Sequence, residues 1–211
     1  MDHADRRDLV YLAVFLAVLA WSAHRPHDYF TWFLEVAPAL AGVAVVGLTR
    51  RRFPLSGLAL AVILFHGLVL MAGGKYTYAE NPLFAWISVA MGWERNYYDR
   101  LGHLIQGFTP ALLVRELFLR LMVLRRARWL PFLAVCVALA ISAVYEFIEW
   151  WVALASGEAA EAFLGAQGDV WDTQWDMFMA LCGALLALTL FRGRHDRSLA
   201  RLLTDRRLEL K

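Results

Sequence analysis

Three pairs of polar residues in an otherwise apolar chain set its chemistry. Asp99 and His103 are four residues apart, Glu146 and Glu149 three, Asp172 and Asp176 four. At these spacings both members of a pair share one face of a helix. Asp169 stands just before the last pair. If the pairs converge inside a helix bundle, they form a site of one imidazole and five carboxylates. So many negative charges cannot stay ionised together without protons or a cation. Carboxylates projecting inward from helices hold divalent metals in other bundles. Oxygen-rich ligands with one histidine suit Mg, Mn, Zn or Fe. The expected metal ligands are His103, Glu149, Asp172, Asp176 and Asp99. Glu146 and Asp169 are the expected catalytic carboxylates, one acting as general base.

Each of these residues also has a structural reading. Asp99 and Asp172 suit helix N-caps. His103 fits a hydrogen-bonded core histidine, and Glu146 and Glu149 fit ion pairs with Arg95 or Arg100. Asp176 lies one turn inside its helix with no cap to make, so its structural reading is the weakest. Glu35 and His66 are lone polar residues in apolar runs. Arg115, Glu116 and Arg120 snorkel or pair with one another.

The elements that must position these groups are membrane spans. The chain has 211 residues, 60% hydrophobic and 19% charged, against about 25% charged for a soluble domain. Mean hydropathy is +0.50. A soluble enzyme, a disordered chain and a nucleic-acid-binding domain are excluded. The net charge of +2 is too small to call for a polyanion partner. Cys136 and Cys182 both sit in apolar runs, which argues against a disulfide framework. A span needs about 20 apolar residues, and six runs qualify or nearly do: 9–23, 29–48, 55–72, 101–124, 129–154 and 173–191. The expected fold is all-α, a six-span transmembrane bundle forming one integral membrane domain over 1–211. A shorter run, 83–93, reads as a re-entrant or interfacial helix. The first span follows Arg6 and Arg7 and resembles a signal peptide. Bulky Trp21 at the cleavage-like Ala-Trp-Ser-Ala and the acids Asp2, Asp5 and Asp8 favour a retained anchor.

Loop charges orient the bundle. Sixteen Lys and Arg fall on one side, in the N-terminus, around 50–52, around 120–128 and in the tail; Arg25, Lys75, Arg95 and Arg100 fall on the other. Both termini are therefore expected in the cytoplasm, with the acidic pairs in the outer half. Acids in a span cost about 2.5–3.5 kcal/mol each at its centre, so they mark function by default. Eight of nine Trp lie at the outer ends, as an interfacial belt or as the wall of a cleft opening outward.

Four segments carry a family resemblance: Gly74-Lys-Tyr-Thr-Tyr-Ala79, Glu94-Arg-Asn-Tyr-Tyr-Asp-Arg-Leu-Gly-His103, Tyr145-Glu-Phe-Ile-Glu-Trp150 and Gly165-Ala-Gln-Gly-Asp-Val-Trp-Asp-Thr-Gln-Trp-Asp-Met177. They resemble the YjdF-like family of bacterial inner-membrane proteins over about residues 55–190. That family has no assigned function, so the resemblance implies location and topology. A fainter similarity links Asp99-Arg100-x-x-His103, Glu146-x-x-Glu149 and Asp172-x-x-x-Asp176 to VanZ-like membrane proteins. Two neutral amides of that pattern are carboxylates here, which makes this site more acidic. The similarity implies a role at the cell envelope.

Three functions fit this reading. One is a metal-dependent enzyme acting on a lipid or envelope-precursor substrate that enters through the membrane. One is a non-catalytic scaffold or accessory subunit whose polar residues lock the helices together. One is a metal- or proton-coupled transporter, disfavoured because repeats and inner-half acids are scarce. Membrane lipid is the expected partner and nucleic acid is not.

Overall fold

The computed structural model describes residues 3–156, 163 and 166–209. Gly165, the first residue of the last motif, lies outside the described residues. Every regular element among them is helical: α1 (His3–Ala23), α2 (Tyr29–Thr49), α3 (Gly57–Tyr76), α4 (Pro82–Met91), α5 (Tyr98–Arg120), α6 (Leu130–Ser156), α7 (Asp172–Leu188) and α8 (Arg192–Glu209). A 3-10 turn, Ala127–Trp129, leads into α6. The all-α expectation holds. The six long apolar runs fall on α1, α2, α3, α5, α6 and α7, and the short run falls on α4.

Length and apolarity alone qualify three segments to cross a membrane: α2, α3 and Ala127–Ser156. A fourth qualifies if α7 and α8, bent by 57° at their break, count as one. Helices α1 and α5 fall short because α1 opens on a charged turn and α5 carries Asp99, Arg100, His103, Arg115 and Glu116.

Local chemistry sets the helix ends. Asp28 accepts the Thr31 amide at 2.6 Å and so starts α2. The Ser56 hydroxyl accepts the Ala59 amide at 3.3 Å and starts α3. At α4, Asn81 accepts from Leu83 and Phe84, Pro82 pre-sets the first turn, and Gly92 closes the helix at φ 68°. Such strong punctuation explains why ten residues suffice.

The chain divides into two compact units. The first comprises Met1–Val43, Leu64–Gly102 and Glu149–Val170. Its core joins Phe15, Val36, Ala39, Leu70 and Met71, beside a second cluster of Val69, Tyr78 and Tyr98. Gly73 is required there, since a Cβ would sit 1.7 Å from the Tyr78 ring. Tyr98 donates to the Val69 carbonyl at 2.8 Å. Lys75 donates to the carbonyls of Trp21 and His24, satisfying the end of α1.

The second unit comprises Ala44–Ile63, His103–Ile148 and Trp171–Lys211. Its core is built on small residues, Ala59, Ala111, Ala134, Ala138, Ala184 and Ala187, around Phe108, Leu112 and Leu188. Many large apolar side chains instead point outward, among them Leu48, Phe132, Val144 and Leu190. That is the reverse of a water-facing surface and suits contact with lipid.

Candidate metal centre

Two glycines bring the chemistry together. A Cβ on Gly107 of α5 would lie 1.8 Å from the Ala180 carbonyl oxygen, and a Cβ on Gly183 of α7 would lie 1.8 Å from that of Leu104. The two helices therefore meet backbone to backbone, as small residues allow between membrane helices. Leu104 adjoins His103, and Ala180 lies one turn beyond Asp176. Close contact along α5 and α7 thus sets the histidine against the aspartate.

His103 is 3% exposed and Asp176 1%. Nε2 of His103 lies 3.8 Å from Asp176 Oδ1, and Nδ1 lies 3.7 Å from Glu146 Oε1. Nδ1 also makes a 2.9 Å contact to Gln106 Oε1. A proton on Nδ1, donated to Gln106, leaves the Nε2 lone pair on the side of Asp176. Tyr145 packs edge-on to the imidazole with centroids 6.2 Å apart. Asp99 is one turn earlier in α5 and 2% exposed. A ligand atom of His103 lies within 4.8 Å of a carboxylate oxygen on Asp99 and of one on Asp176.

The remaining expected residues are placed as follows. Glu149 is buried three residues beyond Glu146 on α6, and Asp172 is half-buried four residues before Asp176 on α7. Asp172 is the first residue of α7, and the capping position is Trp171. Asp99 is inside α5. The N-cap reading is therefore corrected for both. Asp169 accepts from Arg95 Nη1 at 3.0 Å and from Arg100 Nη2 at 3.2 Å. Arg100 also stands 3.6 Å from Asp99. The turn that carries Asp169 is pinned by Gln167, whose amide both accepts the Asn96 N–H and donates to the Asn96 carbonyl. Glu35 is 1% exposed on α2 and His66 half-buried on α3.

Sequence reasoning did not pick out Gln106, although its position three residues after His103 was a usable signal. It also missed His195. That residue is 1% exposed and completes a second buried cluster in the same unit. Its Nε2 contacts Glu116 Oε2 at 3.1 Å and its Nδ1 contacts Arg115 Nη1 at 2.9 Å. Glu116 Oε1 accepts from Arg120 Nη1 and from the Ser56 amide. Arg115 reaches Asp196, and Arg120 also donates to the Pro54 carbonyl.

Comparison with known proteins agrees with the architecture. Residues 8–197 match a family model described as "Predicted membrane protein (DUF2238)". The inner membrane protein YjdF of Escherichia coli (strain K12) is 47% identical over 184 residues, covering 87% of this chain and 88% of that protein. No solved structure matches.

Proposed function

Because the chain belongs to the DUF2238 family of membrane proteins, whose description carries no activity, we propose a function from the site itself. The protein is a six-span inner-membrane protein with both termini cytoplasmic. It binds a divalent cation at His103 and Asp176 and uses it on a lipid or envelope-precursor substrate. The 47% identical relative supports the inner-membrane location, and the uneven spread of basic residues supports the orientation.

The observation that carries the cation is the spacing around His103. Its contacts to Asp176 and Glu146, 3.8 and 3.7 Å, exceed hydrogen-bond length. Two donors each about 2.1 Å from a common ion stand about 3–4 Å apart. Nε2 and Asp176 supply donors on one side of the ring, and Asp172, one turn earlier on α7, extends the set. On the Nδ1 side, Gln106 and Glu146 orient the imidazole, as carboxylate–histidine partners do at metal centres. A bound cation polarises a phosphoryl or acyl oxygen, or lowers the pKa of water. Glu146 is then the proton acceptor. Asp169, which accepts from Arg95 and Arg100, is the second carboxylate proposed for the chemistry.

Elemental analysis of protein purified without chelator tests this reading, together with melting curves before and after chelation. The expected result is a near-stoichiometric divalent metal and a lower melting temperature on its removal, with both lost in Asp176→Asn. A metal-free protein whose melting ignores both chelator and added metal in detergent and in lipid leaves only the scaffold. The closed cluster around Glu116 favours that second reading, because the buried charge there is met by its own hydrogen bonds.

A further inference from the structure

Three segments far apart in sequence meet at one end of the second unit. The loop after α2 lies against the end of α5: Arg120 donates to the Pro54 carbonyl and stacks on Phe53, and the Ser56 amide donates to Glu116. Helix α8 joins both, since His195 contacts Glu116 and the Ser198 hydroxyl accepts the Leu58 amide. The acid at the centre is thus met from within, and what faces outward is basic. Residues 50–56, 120–129 and 192–204 carry eleven arginines and one acid. That acid, Asp196, is met by Arg115. Every one of the eleven arginines except Arg120 is exposed. On α8, Arg194, Arg197 and Arg201 share one face, while His195 and Leu199 are buried.

Large apolar side chains stand among these arginines. Leu48 is 83% exposed, Met122 85% and Leu190 69%. Met122 turns the chain out of α5 in the left-handed region, at φ 50°, a conformation that a residue bearing a side chain adopts at a cost. Neither water nor a soluble polyanion gives these apolar groups a place. The boundary between headgroups and acyl chains takes both kinds: phosphates meet the guanidiniums, and the apolar groups enter the acyl edge. We propose that this end of the molecule binds the anionic phospholipid headgroups of the leaflet it faces, through residues 125–128 and the basic face of α8. Charge complementarity sets the lipid class, because so concentrated a positive surface favours anionic over zwitterionic headgroups. The cation at His103 plays no part in this. In the orientation proposed above, the leaflet is the cytoplasmic one.

The test titrates the purified full chain, in uncharged detergent with chelator present, with dioleoylphosphatidylglycerol or dioleoylphosphatidylcholine, and reads the melting temperature. Phosphatidylglycerol should stabilise wild type, and added salt should weaken the effect. Phosphatidylcholine should not reproduce it. Two triple variants, Arg125→Gln with Arg126→Gln and Arg128→Gln, and Arg194→Gln with Arg197→Gln and Arg201→Gln, remove charge from one segment each. Each should bind phosphatidylglycerol more weakly, by about fivefold for every arginine removed, the worth of one basic side chain near an anionic surface. The same triples changed to Lys should keep most of the affinity, since they keep the charge. If one glutamine triple does not fold, the other triple and the lysine variants carry the comparison. Equal stabilisation by the two lipids overturns the proposal, as does phosphatidylglycerol binding undiminished in the glutamine triples. Glycerol phosphate acting as well as the lipid also overturns it, by showing a free-anion site, and so does a response to a DNA oligonucleotide alone. Chelator keeps the cation site silent throughout, so a failure here leaves the metal reading standing, and a failure of the metal reading leaves these titrations unchanged.

Discussion

The second unit holds two buried clusters that each join a histidine to carboxylates, and they are built in opposite ways. Around Glu116 the contacts are hydrogen bonds: Ser56 at 2.8 Å, Arg120 at 3.0 Å and His195 at 3.1 Å. Two arginines stand among the acids, and Arg120 is stacked 3.7 Å over the Phe53 ring. Charge and hydrogen bonding close on themselves. The imidazole of His103 stands 3.7 Å from Glu146 and 3.8 Å from Asp176, beyond hydrogen-bond length from either. Sequence shows the same asymmetry: Arg115 and Arg120 flank Glu116, whereas no arginine lies within five residues of Glu146 or Asp176. Both clusters have buried acids and a histidine, so burial and residue type do not distinguish structure from function. The proposed distinction rests on spacing.

The largest expected effect tests the closed cluster. Glu116→Ala strands Arg120, His195 and the Ser56 amide, and should cost about 3–5 kcal/mol, as breaking a buried pair does. Thermal unfolding in detergent measures it. If Glu116→Ala melts like wild type, the cluster is not structural and the contrast collapses. Next comes the open cluster. Metal at 100 times its dissociation constant stabilises by about 2.7 kcal/mol; chelation should remove that from wild type and from Glu116→Gln, but take nothing further from Asp176→Asn. A Glu116 variant that loses the chelator response would show that the clusters act as one.

A third prediction targets the contact that builds the open cluster. Gly107→Ala forces a methyl against the Ala180 carbonyl, and overpacking of this kind costs about 1–3 kcal/mol. Its metal response should fall with its stability, whereas Gly47→Ala, where nothing crowds the added carbon, should leave both intact.

The smallest effect supplies an ordinary carboxylate as control. The Thr31 amide holds the Asp28 carboxyl below its usual value of 3.8. A depressed folded-state pKa means stability present above the unfolded pKa and lost as pH falls through the folded one. Asp28 should therefore matter at neutral pH and lose its contribution as pH falls from 3.8 through its lowered folded-state value. Asp28→Ala should cost about 1 kcal/mol at pH 7, while Asp28→Asn keeps the cap and flattens the acid limb. A pH-independent Asp28→Ala penalty would mean that the side chain contributes by contact rather than by charge.

Much of this was legible in the sequence for a physical reason: lipid forces regular helices, so apolar runs map onto them. The run at 29–48 lies within α2, the run at 55–72 starts two residues before α3 and ends inside it, and Asn81, Pro82 and Gly92 bracket α4 as their chemistry dictates. The polar first turn of α1 was not legible, because hydropathy stops at Leu9 while the helix continues back to His3. Helix α8 was hidden in a basic tail, since its buried stripe of His195 and Leu199 is too sparse to read as periodicity. The same-face pairs gave His103 and Asp176, because helix geometry is local. The partners of Arg95 and Arg100 were out of reach: both find Asp169 through a turn where Gln167 and Gly168 take positive φ. No spacing rule encodes that turn.

The meeting of α5 with α7 has one more consequence. Where two side chains alone define a gap, rotation about single bonds lets it widen or narrow with little effort. Here the gap between His103 and Asp176 is gauged by main chain resting on main chain at Gly107 and Gly183. It behaves as a caliper locked at one opening. On the proposed reading, an ion of another radius would meet a helix spacing that side-chain rotation leaves unchanged and that only a tilt of two whole helices would alter.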